Sequence, residues 1–170
     1  MAFFRGGIHP ADGKEYAKSK PMVKIAPGSE LVFPMSQHIG APALPAVQKG
    51  DQVLMGQVIG KAAGFVSANI VSSVSGTVKA IEPRPLINGS QSLSVVIEND
   101  GLDTPAEGLG VKRDYTAMSR EEILQAIKEA GIVGMGGACF PSHVKLSVKD
   151  PNEVEYVLIN GSECEPYLTS

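Results

Sequence analysis

The period of hydrophobic and polar positions changes near residue 100. Between Leu31 and Asn99 the apolar residues come in short β-type runs, separated by turns that contain glycine. In chain order the runs are LVFPM, QVLMGQVIG, NIVSSV, GTVKAI and LSVVIE. Several short strands at close spacing, with no helical period among them, predict a small all-β barrel or sandwich over residues 31–99.

The flanking stretches are polar. Residues 1–30 contain Pro10, Pro21 and Pro27, which predicts an N-terminal arm or an extended edge. Gly, Asp and Pro dominate the sequence NDGLDTPAEGLG, which begins at Asn99. We therefore expect a linker over residues 100–118.

A helical period follows the linker, in the sequence SREEILQAIKEAG. Ser119 and Glu122 have the spacing of a capping box, and Gly131 suits the C′ position that ends a helix. Apolar residues recur at i, i+3, i+4 and i+7: Ile123, Ala126, Ile127 and Ala130. The apolar run VEYVLIN, residues 154–160, predicts a strand buried in a parallel sheet. Residues 119–170 thus predict the opening of an α/β domain, and the chain as a whole is expected to be multidomain α+β.

A glycine-rich loop, IVGMGGACFP, lies between the predicted helix and strand. Glycines lack a Cβ, so backbone N–H groups at Gly134, Gly136 and Gly137 could approach a phosphate or a flat ring closely. Pro141 suits the first position of a new helix, and Lys145 would lie about one turn inside it. A tight turn with no ligand remains the alternative, because isolated glycine motifs are unspecific.

Two carboxylates, Glu163 and Glu165, follow the predicted strand. At its C-terminal end they could accept hydrogen bonds from ribose hydroxyls, as α/β folds place ligands there. Two solvated loop carboxylates are the alternative. Cys139 and His143 are spaced i, i+4 and could join Cys164 around zinc, but a closed site takes four ligands, so no metal site is predicted.

Composition narrows the partners. The 15 basic and 18 acidic residues give a net charge of -3, which argues against nucleic acid. Two cysteines cannot build a disulfide framework and suit a reducing compartment. Because no apolar run approaches the roughly 20 residues of a membrane span, any membrane association is expected to be through partners.

The β-rich region resembles the biotinyl/lipoyl carrier family in the sequences GDQVLMGQVI and NIVSSVSGTVKAI. In carriers the modified lysine lies eleven residues before the glycine at position 76, and here that position holds Phe65. Lys61 is four residues away. Without an amine at this position neither biotin nor lipoate can be attached, so we expect a structural barrel-sandwich hybrid.

The loop GIVGMGGACFPSHVKL and the later NGSECEPY resemble the flavin loop and acidic strand end of the NADH-binding subunit of respiratory complex I. With GGIHP at residues 6–10, SQHIGAPA at 36–43 and NGSECEPYLT at 160–169, the chain resembles more closely the C subunit of the Rnf (Rsx) complex, an ion-translocating ferredoxin:NAD⁺ oxidoreductase. Four motifs in order carry this resemblance.

The resemblance implies FMN and NAD(H) as cofactors and no catalytic acid/base residue, since the protein orients the cofactors. It assigns the following residues to cofactor binding: Gly134, Gly136, Gly137, Ala138, Phe140, Lys145, Asn160, Glu163 and Glu165. Met135 departs from an arginine of complex I, and Cys139 from a position that is more often glycine. The 4Fe-4S clusters of this Rnf component are expected outside this chain.

The resemblance also implies the function. It predicts the NADH-handling component of an electron-transport complex, peripheral on the cytoplasmic face of a bacterial membrane, with the other Rnf subunits as partners and ferredoxin as an indirect one. The chain is expected to be part of a longer protein, and alone to be inactive and to bind flavin poorly. Two alternatives remain: a docking or assembly module without chemistry, and the A subunit of the related quinone-reducing sodium pump.

Overall fold

A computed structural model of the chain describes residues 11–161 and 165–168. Its contacts divide the chain into two compact units. The first comprises Met1–Ala26 and Asp150–Ser170, and the second is Pro27–Lys149. The boundaries expected from the sequence, at residues 30, 99 and 118, remain a prediction.

The second unit contains seven strands and two helices. In chain order these are β1 Glu30–Pro34, β2 Leu44–Pro45, β3 Gln52–Val53, β4 Val58–Lys61, β5 Ile70–Val71, β6 Gly76–Pro85, β7 Gln91–Asn99, α1 Arg120–Glu129 and α2 Ser142–Leu146. Short 3₁₀ turns lie at Lys14–Tyr16, Tyr115–Ala117 and Pro151–Glu153.

The strands form two antiparallel sheets. One has the order β1-β7-β6-β3, and the other has the order β2-β4-β5. Val96 lies opposite Val32 on β1, and a bulge between Val78 and Ala80 shifts the register of β6 against β7. Bulges increase local twist, which helps a small sheet to curl around a core.

An aliphatic core lies between the sheets. Ile59 and Ile70 from one sheet meet Val95 and Ile97 from the other, and Ile59, Val95 and Ile97 are fully buried. Each buried side chain of this size contributes about 1.5–3 kcal/mol relative to exposure. The short β-type runs of the sequence thus form the small two-sheet barrel that they predict.

The residues after β7 are tied to the barrel. Met55 pairs with the segment around Pro105, donating from its N–H to Thr104 O at 2.9 Å and accepting from the Ala106 N–H at 2.8 Å. The Ser75 hydroxyl donates to Asp100 at 2.7 Å. The start of the predicted linker therefore follows the barrel surface.

Helix α1 begins and ends where the sequence predicts. The Glu122 N–H donates to Ser119 Oγ at 3.2 Å, and the Ser119 N–H donates to Glu122 Oε2 at 2.7 Å, which completes the capping box. Gly131 ends the helix with φ +67°. The predicted apolar face is only partly covered, since no residue of α1 is buried.

The predicted strand over residues 154–160 is wrong. These residues have no regular secondary structure, and the Leu158 side chain is 92% exposed. A parallel strand needs neighbouring strands to satisfy its backbone groups. In the described part of the chain every strand belongs to one of the two antiparallel barrel sheets, so the parallel sheet that this prediction requires does not occur there.

Within the first unit, the N-terminal arm contacts the segment 165–168. The rings of Tyr16 and Tyr167 stack with centroids 6.4 Å apart, and the Tyr167 N–H donates to Asp12 O at 2.5 Å. The Lys14 ammonium donates to Leu168 O. Among the described residues, no helix combines the length and apolar character needed to cross a bilayer.

Candidate functional site

The glycine loop is closed at its base by backbone pairing. Val133 and Pro141 form an antiparallel bridge, and the Gly134 N–H donates to Phe140 O at 2.9 Å. The Ser142 N–H donates to Ile132 O at 3.0 Å. These bonds bring the two ends of the loop together and leave residues 135–139 as its tip.

The tip presents unsatisfied donors. In the part of the chain that the structure describes, the N–H groups of Gly136, Gly137 and Ala138 donate no hydrogen bond. Gly137 has φ +59°, and no atom lies within 4 Å of where a Cβ would be at Gly136 or Gly137. A run of accessible N–H groups around a left-handed residue is the arrangement that binds anions such as phosphate.

Cys139 has a strained backbone. Its φ is +49°, in the left-handed region that side chains disfavour, and its free thiol is half-buried. The position is the one where the resembling family more often has glycine, and the backbone angle gives the physical reason. Met135 leaves the same loop with its side chain 99% exposed.

Pro141 stands at the N-cap of α2 rather than at the predicted first helical position. Its ψ of 119° is extended because the residue still pairs with Val133, so the helix begins one residue later. Phe140 is half-buried, and Lys145 is exposed on α2.

His143 is buried on α2, with 6% of its surface exposed. Its Nδ1 atom has no hydrogen-bond partner in the described structure. Burial lowers the pKa of His143, the positive charge of Lys128 lowers it further, and the backbone of Phe65 acts in the opposite direction. The imidazole is therefore held neutral near pH 7.

A groove of about 1040 Å³ borders the tip of the loop. Gly137, Ala138 and Cys139 line one part of it, and the rest is lined by β1, residues 36–38, Ser73 and the β6–β7 turn. Cofactor pockets in proteins measure about 300–1,000 Å³, so the groove has room for a ligand of cofactor size.

The acidic segment belongs to the other unit. Asn160 and Glu165 are exposed there, and Glu163 lies outside the described residues. The structure thus brings together one part of the predicted set, the five residues of the loop with Lys145 on the next helix.

The sequence analysis missed the contribution of two barrel residues. Asn69 Nδ2 donates to Glu129 O at 3.1 Å, at the C-terminal end of α1. His38 is 8% exposed, and both of its ring nitrogens have backbone hydrogen-bond partners within the barrel. Neither residue could be identified from a local sequence pattern, because their contacts join positions that are far apart in the chain. Among the described residues, no group of three His, Cys, Asp or Glu could hold a metal ion.

Two family models match the chain. Residues 2–102 match the model described as the RnfC barrel sandwich hybrid domain. Residues 127–170 match the model described as the Nuo51 FMN-binding domain. The first match confirms the predicted barrel-sandwich hybrid, and the second agrees with the start of a flavin-binding domain after it.

Curated relatives are similar over nearly the whole chain. The chain is 51% identical, over 98% of its length, to the C subunit of the proton-translocating ferredoxin:NAD(+) oxidoreductase complex of Clostridium ljungdahlii. It is 46% identical, again over 98% of its length, to the C subunit of the Na(+)-translocating ferredoxin:NAD(+) oxidoreductase complex of Acetobacterium woodii. The chain spans 36% of the first relative and 38% of the second.

Proposed function

The chain belongs to the RnfC family, and from this premise we propose that it supplies FMN- and NAD(H)-binding residues to the RnfC component of an ion-translocating ferredoxin:NAD⁺ oxidoreductase. The observation that carries the proposal is the glycine loop with three free N–H groups, inside the region that matches an FMN-binding domain. In domain terms, residues 31–99 are the barrel-sandwich hybrid and residues 119–170 begin the cofactor-binding domain.

The loop is suited to the phosphate of FMN. The N–H groups of Gly136, Gly137 and Ala138 would donate to phosphate oxygens, and the glycines leave the backbone accessible. We assign Gly134 to closing the loop, Phe140 to apolar contact with the flavin and Lys145 to the phosphate charge. When bound, FMN supplies the exchange between hydride transfer with NAD(H) and single-electron transfer.

For the dinucleotide, we assign Asn160, Glu163 and Glu165. Carboxylate oxygens accept hydrogen bonds from ribose hydroxyls, and an amide can donate or accept at the nicotinamide carboxamide. Asn160 and Glu165 are exposed and therefore accessible to a ligand. Their role is to bind and orient, since hydride chemistry between cofactors needs no protein acid or base.

The assembly follows from the same premise. We propose that the partners are the other subunits of the complex, and that the chain approaches the cytoplasmic face of the membrane only through them. Electrons would leave the flavin for 4Fe-4S clusters elsewhere in the complete RnfC protein, and ferredoxin would be reached indirectly.

The phosphate assignment is tested by placing a negative charge in the loop. In the complete RnfC protein, Gly137→Asp should weaken FMN binding at least about tenfold, because the carboxylate repels the phosphate. Gly101→Asp is the matched control, since Gly101 also has a left-handed φ, +71°, and open space around it. Quenching of FMN fluorescence measures both. Equal affinity of the two variants and the wild type would overturn the assignment.

A further inference from the structure

One end of the barrel bonds to the glycine-loop region in two places. We call this end the rim and define it as residues 38–41 and 62–69. The two segments are joined to each other, since the Ala41 N–H donates to Val66 O at 3.0 Å and the Ser67 hydroxyl donates to Ala41 O at 2.8 Å. Ser67 itself is fully buried. The rim is therefore a fixed part of the barrel.

Before the loop, the rim caps helix α1. Asn69 Nδ2 donates to Glu129 O at 3.1 Å, while its Oδ1 accepts from the Ala62 N–H at 3.0 Å. The carbonyls at a helix C-terminus have no partner within the helix, so this bond satisfies one of them. A Cβ at Gly131 would lie 2.4 Å from Asn69 O, which shows how closely the chain crosses the rim here.

At the tip of the loop, the Ile39 N–H donates to Ala138 O at 3.0 Å. The neighbouring His38 side chain bonds to the carbonyl of the same residue, Ile39. In the tautomer that satisfies both ring nitrogens, Nδ1–H donates to Ile39 O and Nε2 accepts from the Ala68 N–H, each at 3.1 Å. The buried imidazole thus links the two rim segments directly beneath the bond to the loop.

After the loop, α2 carries the buried side chain of His143, which is 6% exposed. Phe65 occupies the position at which carrier proteins have the modified lysine. Where a carrier presents a mobile cofactor, this rim bonds to the end of the helix before the glycine loop and to the tip of the loop.

These contacts matter because the loop's own backbone pairing lies mainly at its base, while its tip is rich in glycine. Glycine residues lose more conformational freedom on ordering than any other residue. External bonds that hold the loop in its open form remove that cost from ligand binding. Asn69 bonds to the Glu129 carbonyl before the free N–H groups, and the Ile39 N–H bonds to the Ala138 carbonyl among them.

We propose that the barrel rim is a mount that holds the glycine loop in its anion-binding conformation, with Asn69 and His38 as positioning residues. The inference rests on the proposed function for its consequence, FMN affinity, but the mounting itself is a property of the protein without ligand. The lysine-free barrel thereby has a role in the cofactor site of the same chain.

The test uses the complete RnfC protein with Asn69→Ala and Gly131→Ala. Asn69→Ala removes the cap, and Gly131→Ala forces the chain away from Asn69 O. Gln52→Ala is the control, because Gln52 also uses a side-chain amide in a barrel hydrogen bond, to Thr77 Oγ1 at 2.8 Å. Hydrogen exchange of amides 132–142 is measured without ligand, and FMN affinity by fluorescence.

For Asn69→Ala and Gly131→Ala we expect faster hydrogen exchange in residues 132–142, with unchanged exchange at Val95–Ile97 in the barrel core. FMN affinity should fall about fivefold for Asn69→Ala, the effect of one lost hydrogen bond, and further for Gly131→Ala. Unchanged hydrogen exchange of the loop in both variants would show that the rim does not hold the loop in place. If the wild type does not bind FMN, the proposed function fails. The exchange data still show whether the rim holds the loop.

Discussion

At the scale of single residues, the backbone angles of the glycine loop explain its residue types better than side-chain chemistry does. Gly137 and Cys139 both have left-handed φ values, yet only one of them is glycine. The sequence identifies Cys139 as unusual only by comparison with a related motif. The strain itself depends on how the loop closes between Val133 and Pro141, and that geometry cannot be deduced from residue types.

Replacing Cys139 tests this strain. Cys139→Gly should be more stable than Cys139→Ala by about 1 kcal/mol, because both lose the thiol and only glycine adopts φ +49° without a steric cost. Thermal unfolding of the two variants provides the comparison. Equal unfolding temperatures would show that residue 139 does not need a left-handed conformation.

The burial of His143 predicts how the stability of the protein depends on pH. Burial lowers the pKa of His143 in the folded state below the unfolded value of about 6.5. As pH falls below 6.5 the unfolded state binds a proton that the folded state excludes, so stability decreases until the folded pKa is passed. Urea unfolding at pH 7 and pH 5.5 should show a larger loss of stability for the wild type than for His143→Gln. The same pH dependence in both proteins would contradict a buried neutral imidazole.

At the scale of secondary-structure elements, local sequence patterns correctly predict an element that satisfies its own hydrogen bonds. Helix α1 was predictable to its caps because Ser119, Glu122 and Gly131 act within one turn of its ends. The apolar run 154–160 has no such independence. A strand exists only with a partner, and in the described residues the available strands belong to the barrel.

The cap of α1 can be removed alone. Ser119→Ala should lower stability by about 1 kcal/mol, because it leaves the Glu122 N–H without its acceptor. Ser73→Ala is the control, since Ser73 is exposed and its side chain makes no hydrogen bond in the described structure. Chemical unfolding and the exchange of α1 amides both report the difference. Equal stability of the two variants would mean that the capping box contributes nothing.

At the scale of the whole molecule, the sequence predicts the barrel but has no local signal for the two compact units. The barrel follows from the short β-type runs and the glycine turns between them, which are local features. The first unit depends on contacts between residues about 150 positions apart, such as the 2.5 Å bond from the Tyr167 N–H to Asp12 O. No local period marks such a contact.

One consequence can be tested at Gly13 in that unit. Gly13 has φ +64°, and a Cβ there would lie 2.2 Å from the Tyr167 ring. Gly13→Ala should therefore separate the arm from residues 165–168, whereas Gly108→Ala, with a similar φ of +79° and open space, adds only the backbone strain. Limited proteolysis of the complete RnfC protein should cleave near residues 12–16 sooner in Gly13→Ala than in the control. Equal cleavage rates would show that the contact with Tyr167 does not hold the arm.

The central claim is that the free N–H groups of the glycine loop bind the phosphate of FMN. The most direct measurement compares the affinities of FMN and riboflavin, which differ only in that phosphate, for the complete RnfC protein and for its Gly137→Asp variant. The account predicts that the wild type binds FMN much more tightly than riboflavin and that the variant loses most of this preference. Equal binding of both flavins by the wild type, or an undiminished preference in the variant, would contradict it.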